Sequence, residues 1–358
     1  MAAWAFIVGI NDYPTDSGME KLHGAVADAG EFAEWALHPD GGNVQPNDLY
    51  FWTCPSPTTA HLQRLHQFML TPKKWPMVAP DFGRPPTASE INMAIGLVAT
   101  AALAAGASRL YVFLAGHGLQ TRPESYLEDP QTCFVGGNYH PTTRTAGLVP
   151  CDDMMRMLKA QGPPELVLFL DACRSDASIK VSRPAGLWDR IADPGHHQRC
   201  GIARSAQPQA VAYEVPHDAP SRGAFSKLLV NGLREHRKGG RLTFRDLDDY
   251  VSGGIVDLVR PASQYPDFNE QPRPWQLVLA SGPVIGAGSN LVVTFSQATF
   301  GVGIMLVGGP ANIRMPLTGT LQPQSIPLVP GVYALETAAG QELKAFPHVG
   351  PGDTHVSI

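Results

Sequence analysis

The sequence has few cysteines, and they lack the spacing that makes cysteine structural. Cys54, Cys133, Cys151, Cys173 and Cys200 are odd in number, and no two form Cys-x-x-Cys. Neither a disulfide framework nor a zinc ribbon is expected, and a reducing, cytoplasmic compartment is the default. No apolar run reaches the ~18 residues of a membrane span, so no membrane partner is expected. The apolar start Met1–Ile10 has no basic stretch before it and reads as a first core strand rather than a signal peptide. No basic stripe is interleaved with aromatics. With 27 basic against 32 acidic residues and a net charge of −5, nucleic acid is not an expected partner. Gly-x-Ser-x-Gly is absent, which removes the serine-hydrolase elbow. Ile179 stands where a Cys-x5-Arg phosphatase loop starting at Cys173 needs arginine. No EF-hand loop occurs. Asp152-Asp153 and the set Asp246, Asp248 and Asp249 read as solvated faces. No metal site and no cofactor is expected from the residues, and calcium dependence stays open.

What the chain does have is a core. Hydrophobic residues make up 44% and charged residues 16% of 358 positions, enough for one large globular unit and a smaller one. Trp4–Ile10, Leu49–Thr53, Leu110–Leu114 and Leu166–Leu170 read as buried strands of a mostly parallel α/β sheet. Helical spacing runs over Lys21–Leu37, and Thr58-Thr59 can cap a helix to about Leu70. Thr87-Ala-Ser-Glu90 is a capping box opening a helix to about Gly106. Further helices are expected at about Asp152–Ala160, Ala224–His236 and Phe244–Val259, and further strands at Gln209–Val215 and Trp275–Ala280. Residues 71–87 read as a Pro-rich loop. Residues 174–205 show little periodicity and read as one long functional loop.

Two of these strands end in reactive residues. The first runs into Ala115-Gly-His117-Gly118, the second into Asp171-Ala-Cys173. Ligands of parallel sheets bind beyond the carboxyl ends of strands, so His117 and Cys173 are expected to meet at one edge as acid–base partner and nucleophile. Gly118 offers a backbone N–H unobstructed by a side chain. With the Cys173 N–H it is a candidate oxyanion hole. The other four cysteines read as buried structural residues, Cys151 with a helix start that could lower its pKa. His196-His197 reads as surface.

Five pieces carry a family resemblance: Ala5-Phe-Ile-Val-Gly-Ile-Asn-Asp-Tyr-Pro14, Leu22-His-Gly-Ala-Val-Ala-Asp-Ala29, Phe113-Leu-Ala-Gly-His-Gly118, Phe169-Leu-Asp-Ala-Cys-Arg-Ser175 and Gly223-Ala-Phe-Ser226. In this order they resemble the caspase-like cysteine peptidases, in particular prokaryotic caspase homologues and metacaspases. His117 and Cys173 lie 56 residues apart, near the ~50 of caspases. The resemblance covers 1–282 and implies a caspase-like sheet flanked by helices. Caspases carry Gln before Ala-Cys, whereas Asp171 stands here. Metacaspases resemble this chain in having Asp at the positions of Asp171 and Asp28. Two carboxylates in the specificity pocket favour Arg or Lys over Asp. Asp28 equally reads as decoration of its helix, and Asp171 as a residue that orders the catalytic turn.

The family is often cut after its nucleophile on activation. The basic residues Lys180, Arg183, Arg190, Arg199 and Arg204 are therefore candidate self-cleavage sites, in a candidate activation loop over 174–205. A peptidase cut on activation implies a zymogen with a protein substrate, and prokaryotic relatives act in regulated cell death and antiphage defence. From 289 to 358 the pattern changes to short β runs, Leu291–Phe295, Val302–Val307, Ile313–Leu317, Val332–Glu336 and Leu343–Phe346. These read as a small all-β sandwich, loosely immunoglobulin- or transthyretin-like, that could dock a protein activator or regulator. Two alternatives remain open: a CHAT-type peptidase, and a caspase-fold scaffold with little proteolytic activity.

Overall fold

The apolar runs at Trp4–Ile10, Leu110–Leu114 and Leu166–Leu170 lie side by side in one sheet. A computed structural model describes residues 2–56, 81, 83–121, 130–143, 145–175, 199–215, 221–260, 262–271, 277–281, 289–296, 303–309, 313–317, 322–328, 331–348 and 354–358. In chain order the main elements are β1 (Ala3–Ile10), α1 (Ala25–Leu37), β2 (Val44–Cys54), α2 (Ala88–Ala104), β3 (Arg109–Ala115), β4 (Gly118–Gln120), β5 (Thr132–Val135) and β6 (Leu148–Pro150). Next come α3 (Cys151–Gln161), β7 (Glu165–Asp171), β8 (Arg199–Arg204), β9 (Glu214–Val215), β10 (Arg222–Gly223) and α4 (Ala224–Glu235). They are followed by β11 (Arg241–Thr243), α5 (Phe244–Leu258), β12 (Asp267–Gln271) and β13 (Val278–Ser281).

The central sheet has the order β12-β8-β7-β3-β1-β2. All neighbours are parallel except β12, which runs antiparallel on the β8 edge. Strand alternation sorts the core into two layers. Ala5, Ile7, Phe113 and Phe169 face α1, α4 and α5, where Phe32, Phe225 and Leu247 pack. Phe6, Val8, Val112 and Leu168 face α2 and α3, where Ile95, Val98 and Met154 pack. The capping box at Thr87 is formed, with Glu90 N donating to Thr87 Oγ1 at 3.2 Å and Thr87 N donating to Glu90 Oε2 at 2.8 Å.

Two expectations need correction. The span 174–205 is not one loop, because its end is β8, a strand of the central sheet. Its apolar signal is weak because Arg199 and Arg204 flank only four residues, and the charge of Arg204 is met by Asp152 and Asp267. The strand expected over Gln209–Val215 is only the two-residue β9. The strand expected at Trp275–Ala280 is present as β13, which pairs with β11. The helix expected after Thr58 and most of the 71–87 loop lie outside the described residues.

Beyond 288, the described residues form seven strands: β14 (Ser289–Thr294), β15 (Ile304–Gly308), β16 (Ile313–Leu317), β17 (Gln324–Leu328), β18 (Gly331–Thr337), β19 (Glu342–His348) and β20 (Thr354–Ser357). They form a three-stranded and a four-stranded sheet around Leu291, Leu306, Leu335 and Val356. Val332 of β18 belongs instead to the core layer of α1 and α4, so this β unit touches the helical face.

Candidate active site

The carboxyl ends of β3 and β7 are tied together where the reactive residues begin. Gly116 N donates to the Asp171 carbonyl at 3.1 Å. His117 and Cys173 follow these strand ends, and both border one cavity of about 70 Å³. Asp28, Asp171, Tyr213 and Glu214 border it too. A larger cavity of about 270 Å³ opens at the other end of the sheet around Arg109 and Glu165, and no cysteine or histidine lines it.

Tyr13 and Glu20 hold His117. Its N–H donates to the Tyr13 hydroxyl at 3.0 Å, and that hydroxyl donates to the Val135 carbonyl at 3.3 Å. The Tyr13 and His117 rings lie 5.0 Å apart. His117 Nε2 sits 2.6 Å from the Glu20 carbonyl oxygen. A carbonyl only accepts, so Nε2 carries the proton and Nδ1 is the basic nitrogen of the neutral ring.

Cys173 is partly exposed while Cys54, Cys133, Cys151 and Cys200 are buried. Its neighbours are anchored on both sides. Ala172 N donates to Ser205 Oγ at 3.0 Å, and Ser205 Oγ donates back to the Ala172 carbonyl at 3.0 Å. Buried Arg174 pairs with Asp267 at 2.8 Å, and its backbone exchanges hydrogen bonds with Gln209 and Ala210. Burial pushes the Cys173 thiol up; the Ala212 N–H opposes this and the Asp171 charge adds to it. The helix start does not lower the Cys151 thiol, as the sequence suggested. Burial pushes it up to about 12.

A side chain at Gly118 would force its surroundings to shift. A Cβ there would collide with the Cys173 carbonyl oxygen and lie 2.7 Å from the Ala172 Cβ. Its N–H direction follows from strand parity. Val135 N donates to the His117 carbonyl at 2.9 Å, so Gly118 and Phe134 form a pair that exchanges no bonds. The Gly118 N–H therefore points away from β5, on the edge where Gln120 N reaches Ser175 O at 3.0 Å. That edge faces the cysteine turn.

The two carboxylates singled out by sequence come together on the cavity wall, one on each side of Gly223. A side chain at Gly223 would collide with Asp171 Oδ2 and lie 3.0 Å from Asp28 Oδ2. Asp171 Oδ2 accepts from Ser226 Oγ at 2.5 Å and from Ser226 N at 3.2 Å, at the start of α4. Asp28 is paired with Arg222 and accepts from Gly223 N at 2.8 Å. Burial pushes its carboxyl up to about 7, against the pull of Arg222. Arg222 also pairs with Glu31 at 2.7 Å.

The self-cleavage candidates separate. Lys180, Arg183, Arg190 and the His196-His197 pair lie outside the described residues. Arg204 is buried in β8 and pairs with Asp152 at 2.8 Å and Asp267 at 3.3 Å. Arg199 opens the same strand and pairs with Glu165 at 3.0 Å. Both are withdrawn as cut sites, because a peptidase needs an extended, accessible chain and a strand inside a sheet offers none. Among the described residues no cluster of metal-ligating side chains occurs, and no helix is long and apolar enough to cross a membrane.

Sequence reasoning assigned no role to Tyr13, Glu20, Ser205, Glu214 or Ser226. Tyr13 and Ser226 lie inside the motif pieces, so a signal was there. Glu214 had none, because its partners stand 190 and 191 residues away.

A family model described as Peptidase C14, caspase domain, matches residues 2–273. No curated protein matches the chain. Among solved structures, the crystal structure of protein GSU0716 from Geobacter sulfurreducens is similar over 80% of this chain and 100% of that one. Its TM-score is 0.49 and its sequence identity 16%.

Proposed function

Because the chain belongs to the caspase-domain family of cysteine peptidases, we propose that it cleaves proteins after Arg or Lys with a Cys173–His117 pair. The observation that carries this reading is a single cavity bordered by His117, Cys173 and carboxylates. In acylation, His117 Nδ1 takes the Cys173 proton as Sγ bonds to the scissile carbonyl carbon. The carbonyl π electrons move to oxygen, and the oxyanion is met by the Gly118 and Cys173 N–H groups. His117 then protonates the leaving amine as the C–N bond breaks. In deacylation, water gives a proton to His117, attacks the thioester and releases the acid, and the proton returns to sulfur. No step calls on a cofactor.

Acidic walls give the pocket its sign, disfavouring aspartate and favouring a guanidinium or ammonium group. The chain after Cys173 serves as the activation segment of a zymogen. The C-terminal β unit, which reaches the helical core through Val332, serves as the dock for a protein regulator. A role in prokaryotic cell death or defence, in the cytoplasm, rests on the family resemblance. Digestion of a mixed peptide library, with cut sites read by mass spectrometry, tests the reading. Cuts after Arg and Lys by wild type, absent with Cys173→Ala, are expected. Cuts after Asp overturn the proposed specificity, and equal digestion by both proteins overturns the nucleophile.

A further inference from the structure

Three acidic residues of α1, Asp28, Glu31 and Glu34, recur at every third position and so share one face of the helix. Like charges at that spacing repel, and two arginines from other elements stand between them. Arg222 of β10 pairs with Asp28 through Nε, and with Glu31 Oε1 through Nη1 at 2.7 Å. Arg234 of α4 pairs with Glu31 Oε2 through Nη1 at 3.4 Å, and with Glu34 Oε2 through Nη2 at 3.1 Å. Glu31 is the shared member, with one oxygen on each arginine.

The row of ion pairs joins two separate places. At one end, Asp28 and Gly223 border the cavity beside Cys173, and Asp28 Oδ2 accepts the Gly223 N–H at 2.8 Å. The start of α1 lies against Arg222 and Gly223, so that a Cβ on Gly24 would stand 2.9 Å from Gly223 N. At the other end, buried Glu34 meets the C-terminal β unit. Val332 of β18 packs in the core layer of α1 and α4. For the next residue, Tyr333, burial and then the Glu34 charge push the phenol up. An ion pair in water is weak. A buried one is costly to break, because the remaining charge is left stranded. Docking of β18 therefore decides which kind of pair Glu34 and Arg234 make.

We propose that Glu31 is a positioning residue through which the C-terminal β unit sets the wall of the catalytic cavity. With β18 docked, the row stays dry and holds Arg222, and with it Gly223 and the first turn of α4. With β18 displaced, Glu34 and Arg234 are hydrated, Glu31 loses the grip of one of its two cations, and Arg222 and Gly223 loosen. Docked and displaced β18 are the two states, and the β unit and the cavity bias the same equilibrium. The meaning of this coupling for catalysis rests on the proposed peptidase site. It also gives a protein regulator on the β unit a route to that site, along α1.

Hydrogen exchange on the full chain carrying Cys173→Ala tests the coupling without activity. The readout is a peptide spanning Gly223 to Ser226, whose amides are bonded to Asp28 and Asp171. Val332→Ala weakens the seat of β18 and is expected to speed exchange there about fivefold or more, with β3 and β7 unchanged. Glu31→Gln is expected to do the same, and the double variant to exchange little faster than Glu31→Gln alone. Unchanged exchange in either single variant overturns the proposal. So do full additivity in the double variant and acceleration spread evenly over β3 and β7. In chains that keep Cys173, both single variants are expected to raise KM for an arginine peptide more than they lower kcat, because the row ends at the cavity wall and not at Cys173 or His117. A loss confined to kcat overturns the positioning role. A wild type that cleaves no peptide, with the exchange pattern as expected, overturns the peptidase reading and leaves the coupling standing.

Discussion

Ala212 clasps the thiol of Cys173 with both of its backbone groups. Its N–H donates to Sγ at 3.4 Å, and its carbonyl accepts from Sγ at 3.6 Å. The second contact needs the protonated thiol, and burial favours the same form. Under the proposed mechanism the resting nucleophile is therefore neutral, and a thiolate is expected to arise when substrate displaces Ala212 and His117 accepts the proton.

Alkylation of the free enzyme by iodoacetamide is expected to be slow near neutral pH. A thiol raised above the ordinary value of about 8.5 has a smaller thiolate fraction at neutral pH than free cysteine. The rate is expected to climb with pH to a midpoint above that value. Mass spectrometry is expected to find the label on Cys173, since the other four cysteines are buried. Full labelling at acidic pH contradicts the neutral resting state.

Gly118→Ala is expected to lower kcat/KM by about a hundredfold or more, the cost of losing one oxyanion donor. The added methyl keeps the N–H but collides with the Cys173 carbonyl oxygen, so the two donors no longer converge. Steady-state kinetics on an Arg-containing peptide check this. A variant within a factor of a few of wild type removes Gly118 from the oxyanion site.

Self-processing is expected to yield two fragments in wild type and an intact chain in Cys173→Ala. The new N-terminus, read by sequencing, is expected to follow Lys180, Arg183 or Arg190. It is not expected to follow Arg204, whose ion pairs lock β8 between β7 and β12. Fragments that appear equally in both proteins point to a contaminating protease instead.

Stability is expected to fall as pH rises through the neutral range, and Glu34 is a named source. Burial pushes its carboxyl up to about 8, against the pull of Arg234. A folded value above the unfolded one of about 4.3 means that the fold binds more protons than the unfolded chain. The stabilisation is thus complete below the unfolded value and is lost as pH climbs to about 8. Urea unfolding of wild type and Glu34→Gln across this window checks it. The wild-type midpoint is expected to drop more steeply than the variant's. Parallel profiles contradict the assignment.

Much of the site was legible in the sequence because it hangs from local signals. The apolar runs of β3 and β7 fixed where His117 and Cys173 emerge, and Thr87 with Glu90 marked the start of α2. What was not legible depends on distant partners. β8 hides because its terminal arginines find carboxylates on β7, α3 and β12. β12 itself, Asp-Phe-Asn-Glu-Gln, is a polar edge strand with only Phe268 packed inward. The antiparallel ribbon β4-β5-β6 is built from runs of three or four residues, too short for periodicity to register. Glu214 acquires meaning only when β9 meets the start of α1.

The most direct measurement is turnover of two fluorogenic peptides that differ only in Arg or Asp before the scissile bond, by wild type and by Cys173→Ala. The account predicts that wild type cleaves the arginine peptide, leaves the aspartate peptide largely intact, and loses all activity with the cysteine. Preference for aspartate, or undiminished turnover by Cys173→Ala, contradicts it.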